Sequence, residues 1–409
     1  MLRFSFIRSA TGLASTCSRR ITTTTPTTTP SFSSSSLFLR TMATMKALVY
    51  EGPGKRSWKP VPKAEVLEPT DAVVKLTSTT ICGTDLHILK GDVPSVTPGR
   101  ILGHEGVGIV ESVGSGVSAF KPGDRVLISC ITACGKCLYC ARNLQAHCLN
   151  GGWILGNDID GTQAEYVRIP FADTSLYQAP KSLADESLLM LSDALPTGYE
   201  VGVQSAKIRP GESVAIVGAG PVGMAVLITA QFFSPATIIM IDTDDSRLAV
   251  AKKLGATHII NPSKLAASTT MMDTVTSIIS EADIASGEVP NKNMTAKPGV
   301  DVAIECVGVP QTFATCQAII APGGRIANVG VHGTKVDLQL QELWIKNVTI
   351  TTGLVSANTT AMLLQVLRGG KLKPESLITH RFKLDDIEKA YEIFGNAARE
   401  HAIKTYIEA

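Results

Sequence analysis

No apolar run in this chain is long enough to cross a membrane; the stretch from Val222 to Phe233 comes closest and stops within a helical pattern. There is also no excess of basic charge to hold a nucleic acid. The total of +2 comes from residues 1–41, which carry five arginines and no acidic residue, and the remainder holds 33 basic against 36 acidic side chains. Disulfide use is not indicated either. Of nine cysteines, one lies near the amino terminus and five fall in or near a single short segment, a distribution that points to metal thiolates in a reducing compartment. With 44% hydrophobic residues, 18% charged residues and 35 glycines over 409 positions, the composition is that of an α/β enzyme large enough for two cores.

Residues 1–41 are rich in Ser and Thr, contain Arg3, Arg8, Arg19, Arg20 and Arg40, and lack Asp and Glu, which predicts a mitochondrial transit peptide and delivery to the matrix. A disordered tail is the plainer alternative. Met42 and Met45 precede the first strand-like run, so a start at Met42 would give a cytoplasmic form. From Lys46 to about Pro180 short β runs are broken by glycine and proline, among them Ala72 to Leu76, Gly108 to Val113, Arg125 to Ser129 and Glu165 to Ile169. From about Pro196 the rhythm changes to alternating strands and helices, predicting a doubly wound parallel sheet with strands beginning near Val214, Ile238, His258, Val302, Arg325 and Val348. Between the third and fourth, a helix is expected near Met272 to Ser280 and a surface loop from Glu281 to Lys297. Helical spacing returns at Asn358 to Gly369 and Asp385 to Phe394, expected to pack back on the first domain.

Cys134, Cys137, Cys140 and Cys148 are spaced C-x2-C-x2-C-x7-C. Four crowded thiolates suit a closed tetrahedral zinc, with no open position for chemistry. A bacterial ferredoxin pattern has its fourth cysteine after three residues and before proline, whereas Leu149 follows Cys148 after a gap of seven. Buried unligated thiols are the bland alternative. Further on, the apolar strand ending at Val217 runs into Gly218-Ala-Gly220-Pro221-Val222-Gly223 and an apolar helix. Such a turn admits a pyrophosphate to the backbone and aims a helix amino terminus at it. The next strand ends at Asp242, whose carboxylate can accept the ribose hydroxyls of NAD and repel a 2′-phosphate, or simply cap the strand. Arg247, one helical turn on, either flanks the same ribose or does nothing specific.

Cys82-Gly-Thr-Asp-Leu-His87 and Gly103-His104-Glu105-Gly106 add a thiolate and an imidazole to the β-rich part. Together with the four-cysteine segment and the glycine turn, in this order, they make the chain from Lys46 onward resemble the zinc-dependent medium-chain alcohol dehydrogenases. The departure of the third ligand from cysteine makes it similar to the secondary-alcohol and formaldehyde-oxidising branches. The resemblance implies a GroES-like catalytic domain with both zinc sites over 42–194, a Rossmann NAD-binding domain over 195–349, and a return to the catalytic domain over 350–409. It implies Cys82, His104 and Asp193 as catalytic zinc ligands, with Glu105 near the metal and Asp85 behind His104. It further implies two zinc ions per subunit, NAD, a small alcohol or carbonyl substrate, a homodimer or homotetramer, and hydride transfer to the nicotinamide. Thr84 and His87 would pass the alcohol proton to solvent, unless Thr84 only caps a helix and His87 is only a surface residue. Gly83 stands where several members carry an arginine, so anion binding is expected to lean on backbone amides and Lys404. Trp153 is expected to line the substrate pocket or to be a buried anchor, and Cys130, Cys306 and Cys316 are read as core or spectator thiols.

Overall fold

The computed structural model describes residues 43–285 and 298–409. The expected leader, the start at Met42 and the greater part of the expected loop from Glu281 to Lys297 lie outside these residues. Strands β1 (Thr44–Gly52) and β2 (Lys55–Pro62) form an antiparallel hairpin in which β1 buries Ala47, Leu48 and Val49. The following strands β3 (Ala72–Thr79), β4 (Gly106–Val113), β5 (Arg125–Ile128), β6 (Tyr166–Ile169) and β7 (Leu176–Gln178) pair antiparallel around a core of Val74, Val110, Val126, Ile128 and Val167.

The second sheet is parallel throughout. Its strands are β8 (Ser213–Val217), β9 (Thr237–Ile241), β10 (His258–Ile260), β11 (Val300–Glu305), β12 (Ile320–Asn328) and β13 (Thr349–Thr352), in the spatial order β10-β9-β8-β11-β12-β13. Five begin within two residues of the expected positions, and β12 starts at Ile320, five residues before Arg325. Every residue of β8 and β9 is buried, as expected of strands covered by helices on both faces. The chain leaves β8 in one direction to build β9 and β10, then returns to the other side of β8 to build β11. That reversal opens a crevice at the carboxyl ends of β8 and β11, the place where such sheets bind nucleotides.

One expectation is corrected here. The helix between β10 and β11 runs from Met271 to Ala285, so residues 281–285, assigned from the sequence to a loop, are helical. Pro290, Asn291 and Asn293, the residues from which the loop was read, lie outside the described residues.

The carboxyl-terminal segment is more than a pair of helices. Strands β14 (Ile378–Lys383) and β15 (Lys404–Glu408) extend the antiparallel sheet by the contact of β15 with β3, and the helix Ile387–Gly395 buries Ile387, Ala390, Tyr391 and Phe394 against Leu48, Ile81 and Ile88. The helix Thr360–Arg368 behaves otherwise. Its Leu363, Leu364 and Leu367 join the large cluster that runs from Leu127 and Leu188 through Leu195 and Val203 to Ile216 and Ile304, and so pack at the join of the two sheets. That cluster leaves the segment 188–206 buried between the sheets, and Asp193 sits within it.

Candidate active site

Cys82 ends the extended segment after β3 and caps the helix Gly83–Lys90. The cap is reciprocal: Asp85 Oδ2 accepts the Cys82 amide at 2.9 Å, which satisfies a helix-end donor and fixes both residues. Thr84 is therefore not the helix cap. Its Oγ1 lies 3.7 Å from Cys82 Sγ, on the wall of the cavity described below. His87, half-exposed one turn on, pairs through Nδ1 with Asp92 Oδ2 at 2.9 Å.

Asp193 begins the helical segment 194–206, and its Oδ1 accepts the Thr197 hydroxyl at 2.7 Å, leaving Oδ2 free to face the other sheet. There it meets His104 Nε2 at 3.4 Å and Cys82 Sγ at 3.7 Å. Donors at about 2.1 Å (N, O) and 2.3 Å (S) from one zinc, arranged tetrahedrally, stand about 3.4 Å and 3.6 Å apart. The observed separations fit that shell. With Glu105, all four ligating atoms lie within 4.8 Å of one another.

The electrostatics agree with the geometry. Burial pushes the His104 imidazole down, yet Asp193 and Cys82 beside it, with Asp85 behind, hold it well above its usual value. Burial likewise pushes Asp193 up, and the neighbouring imidazole outweighs this and holds the carboxyl far below the carboxylate range. The pocket selects positive charge, which a divalent cation supplies.

The four thiols of the C-x2-C-x2-C-x7-C segment also converge. Cys137 Sγ lies 3.5 Å from Cys140 Sγ and 3.9 Å from Cys148 Sγ, against about 3.8 Å for the edge of an S4 zinc tetrahedron. Amides of Cys140 and Leu149 bring the Cys137 thiol down to about 6, whereas burial and the adjoining thiols push Cys140 up to about 12. Four thiolates coexist there only with a cation between them.

In the crevice of the parallel sheet, the glycine turn has the shape a pyrophosphate needs. A Cβ on Gly223 would lie 1.8 Å from Gly218 O, so only glycine closes the turn, while a Cβ on Gly220 would meet nothing within 4 Å, so that edge is open. The helix Pro221–Ala230 starts at this opening, with its first amides directed outward. Asp242 stands at the end of β9 as expected, and it does more than cap: Oδ2 accepts the Ala219 amide at 2.6 Å and Oδ1 the Asp244 amide at 2.8 Å, pinning the glycine turn.

Two residues expected at the cofactor have partners within the protein. Lys404 lines the same cavity as Gly220–Val222 but is 1% exposed, and its Nζ donates to Glu105 Oε1 at 2.7 Å. An ammonium buried that deeply needs its counter-charge at hand. Arg247 lies 3.8 Å from Asp244 Oδ2 through Nε and donates through Nη2 to Ala402 O at 3.2 Å.

A cavity of about 430 Å³ joins the two halves: Cys82, His104 and Asp193 line one wall and Gly220, Pro221 and Val222 the other. Comparison with known proteins then decides the family. The model of the alcohol dehydrogenase GroES-like domain matches residues 68–181, and that of the zinc-binding dehydrogenase residues 221–368. An alcohol dehydrogenase of Cupriavidus necator is 35% identical over 376 residues, covering 87% of this chain and 96% of its own. The chain belongs to the zinc-type alcohol dehydrogenase family.

Among solved structures, zinc dependent alcohol dehydrogenase 2 from Streptococcus pneumonia, in its apo form, is 53% identical with a TM-score of 0.79, covering 89% of this chain and 98% of its own. An alcohol dehydrogenase from Thermus sp. ATN1 is 33% identical with a TM-score of 0.78, covering 89% and 99%. Membership makes this chain an oxidoreductase that binds zinc and acts on small molecules. No helix among the described residues is long and apolar enough to cross a membrane.

Within this zinc-type alcohol dehydrogenase, sequence reasoning overlooked three residues. Cys130, read as a core or spectator thiol, is buried in a core cluster as read, and it also lines the cavity with Trp153 and Ile131. Gln163 and Tyr391, fully and almost fully buried, bond to each other behind Asp85. No local pattern marks any of them, because each acquires its neighbours only through the fold.

The Glu105–Lys404 pair yields a test. Lys404→Met leaves a carboxylate buried without its partner and should cost about 3–5 kcal/mol of unfolding free energy in urea titrations. The double variant with Glu105→Gln should recover most of that loss. An unaltered single variant would mean that the pair contributes nothing.

Proposed function

We propose that this chain oxidises small primary or secondary alcohols to aldehydes or ketones with NAD as hydride acceptor, using two zinc ions per chain. One ion would be held by Cys82, His104 and Asp193 with Glu105 in reach, the other by Cys134, Cys137, Cys140 and Cys148. The observation that carries this reading is the single cavity shared by the thiolate–imidazole–carboxylate group and the glycine turn. Zinc at such a site is a Lewis acid that lowers the pKa of a coordinated hydroxyl, and the nicotinamide accepts the hydride.

The chain's own residues supply orientation and the path of the proton. The Thr84 hydroxyl, beside Cys82 on the cavity wall, would relay the alcohol proton, accepting it as it gives up its own toward the cofactor's ribose, and His87, oriented by Asp92, would pass a proton from there to solvent. The first free amides of the helix Pro221–Ala230 would hold the pyrophosphate, and the cavity shared with Cys82, His104 and Asp193 would keep cofactor and substrate together. Asp242 supports NAD over NADP, since its carboxylate stands at the end of β9 where a 2′-phosphate would be repelled. Much of the rest of the wall, including Val93, Ile131, Leu354 and Phe394, is apolar, and among the described residues Lys404, the charged group there besides the proposed ligands and His87, is already paired with Glu105. That favours a substrate with one hydroxyl over a polyol.

NADH production should follow alcohols with apolar substituents, exceed that from polyols in kcat/KM, and stop on adding a chelator. Metal analysis of the protein should find two zinc ions per chain. Asp193→Ala should retain one zinc and lose turnover, with dinucleotide binding still visible by fluorescence titration; a variant that still turns over would sink the ligand set.

An unpaired strand edge supports the expected oligomer. Among the described residues nothing pairs with the outer side of β13, and Leu340, Trp344 and Ile345 beside it are 60%, 70% and 69% exposed. A free strand edge next to an apolar patch invites a second copy of the same chain around a two-fold axis. Sedimentation should show a dimer or a tetramer, and Trp344→Glu with Ile345→Glu should shift it toward smaller species without altering the melting temperature of the remainder.

Mitochondrial import remains a proposal resting on the composition of residues 1–41. A reporter fused to residues 1–45 should enter the matrix; diffuse cytosolic signal would refute it.

A further inference from the structure

His104 can offer Nε2 to a metal only if its Nδ1 carries the proton, and that is governed by what stands behind the ring. Asp85 stands there. Its Oδ2 accepts from the Cys82 amide at 2.9 Å and from Gln163 Nε2 at 3.0 Å, while the buried Oδ1 has no hydrogen-bond partner and lies 3.8 Å from His104 Nδ1. Gln163 is fully buried and donates also to Thr80 O at 3.1 Å, and its Oε1 accepts the Tyr391 hydroxyl at 2.8 Å. Turning the amide over would set its carbonyl against two acceptors, Asp85 Oδ2 and Thr80 O, so one orientation alone is tolerable. Tyr391 must then be the donor.

Backbone packing holds this arrangement from the other side. A Cβ on Gly103, next to His104, would lie 2.6 Å from Gln163 Cγ and 2.9 Å from Gln163 N, and the Gly103 backbone has a φ of 94°. Only glycine there permits the segment bearing Gln163 to lie against the segment bearing the imidazole. Tyr391 arrives from the helix Ile387–Gly395, with the Arg56 guanidinium 4.8 Å from its ring centroid.

We propose that Gln163 and Tyr391 are positioning residues of the metal centre: through one directed chain of hydrogen bonds they hold Asp85 with its free oxygen toward His104, and so set which imidazole nitrogen faces the metal. The inference rests on the ligand set proposed above. It makes the carboxyl-terminal helix, far away in sequence, part of the metal site.

The test is zinc release from the purified protein to a colorimetric chelator, with the phase missing from Asp193→Ala identifying the Cys82–His104–Asp193 site. Gln163→Leu should speed that phase by roughly ten-fold or more, the range seen when support behind a ligating histidine is lost. Tyr391→Phe, which keeps the ring and its packing, should speed it by a smaller factor. The thiol-cluster phase should not change in either variant. Visible absorption of cobalt(II)-loaded protein should shift in both, as the imidazole loses its fixed orientation. Unchanged release and unchanged spectra in both variants overturn the inference alone, whereas a wild-type protein with no metal at that site overturns the ligand set and the inference together.

Discussion

Three donors of different chemistry, drawn from distant parts of the chain, stand at the separations of one tetrahedral shell, and the surrounding fold is arranged to keep them there. Cys82 is fixed by a helix cap, His104 by the strand pairing of β4 and the carboxylate behind it, and Asp193 by a hydroxyl contact within its own helix. Negative and neutral donors packed this closely in a nearly dry site repel one another unless a cation lies between them. Lys404, threaded in on the last strand, offsets the additional charge of Glu105.

The same economy of position links the two halves. The segment 188–206 carries a metal-facing carboxylate at one point and core side chains of both sheets at others, so the catalytic wall and the dinucleotide crevice are referenced to one rigid element. Asp242 serves two purposes in a comparable way. By accepting the Ala219 amide through one oxygen and the Asp244 amide through the other it pins the glycine turn to the end of β9. A carboxylate at that point is part of the turn's structure, and its charge is the ground of the proposed preference for NAD.

Much of the architecture could be read beforehand where the chain obeys a local rule. Apolar runs such as Val214–Val217 declare buried strands, glycines at 218, 220 and 223 declare a phosphate turn, and the cysteine spacing declares a closed metal site. Less was legible where neighbours are remote. Gly83, where family members carry an arginine, points to Lys404 as a further basic group for the pyrophosphate, but the sequence does not show that β15 lies in the antiparallel sheet and brings its ammonium against Glu105. Cys130 is the core thiol its surroundings in the sequence suggest, but only the fold shows that this part of the core is also cavity wall. The short strands β14 and β15 escaped notice because pairing along their edges, more than their own composition, makes them strands.

By itself, then, the order of residues determined the fold class, the phosphate turn and the kinds of donor available to a metal, since periodicity, backbone freedom and ligand chemistry are local properties. Tertiary structure alone decided which donors meet, which cation neutralises which anion, and that Gln163 and Tyr391 stand behind Asp85. Those outcomes depend on distances between segments up to some three hundred residues apart, and only packing of the two sheets about their shared core sets such distances.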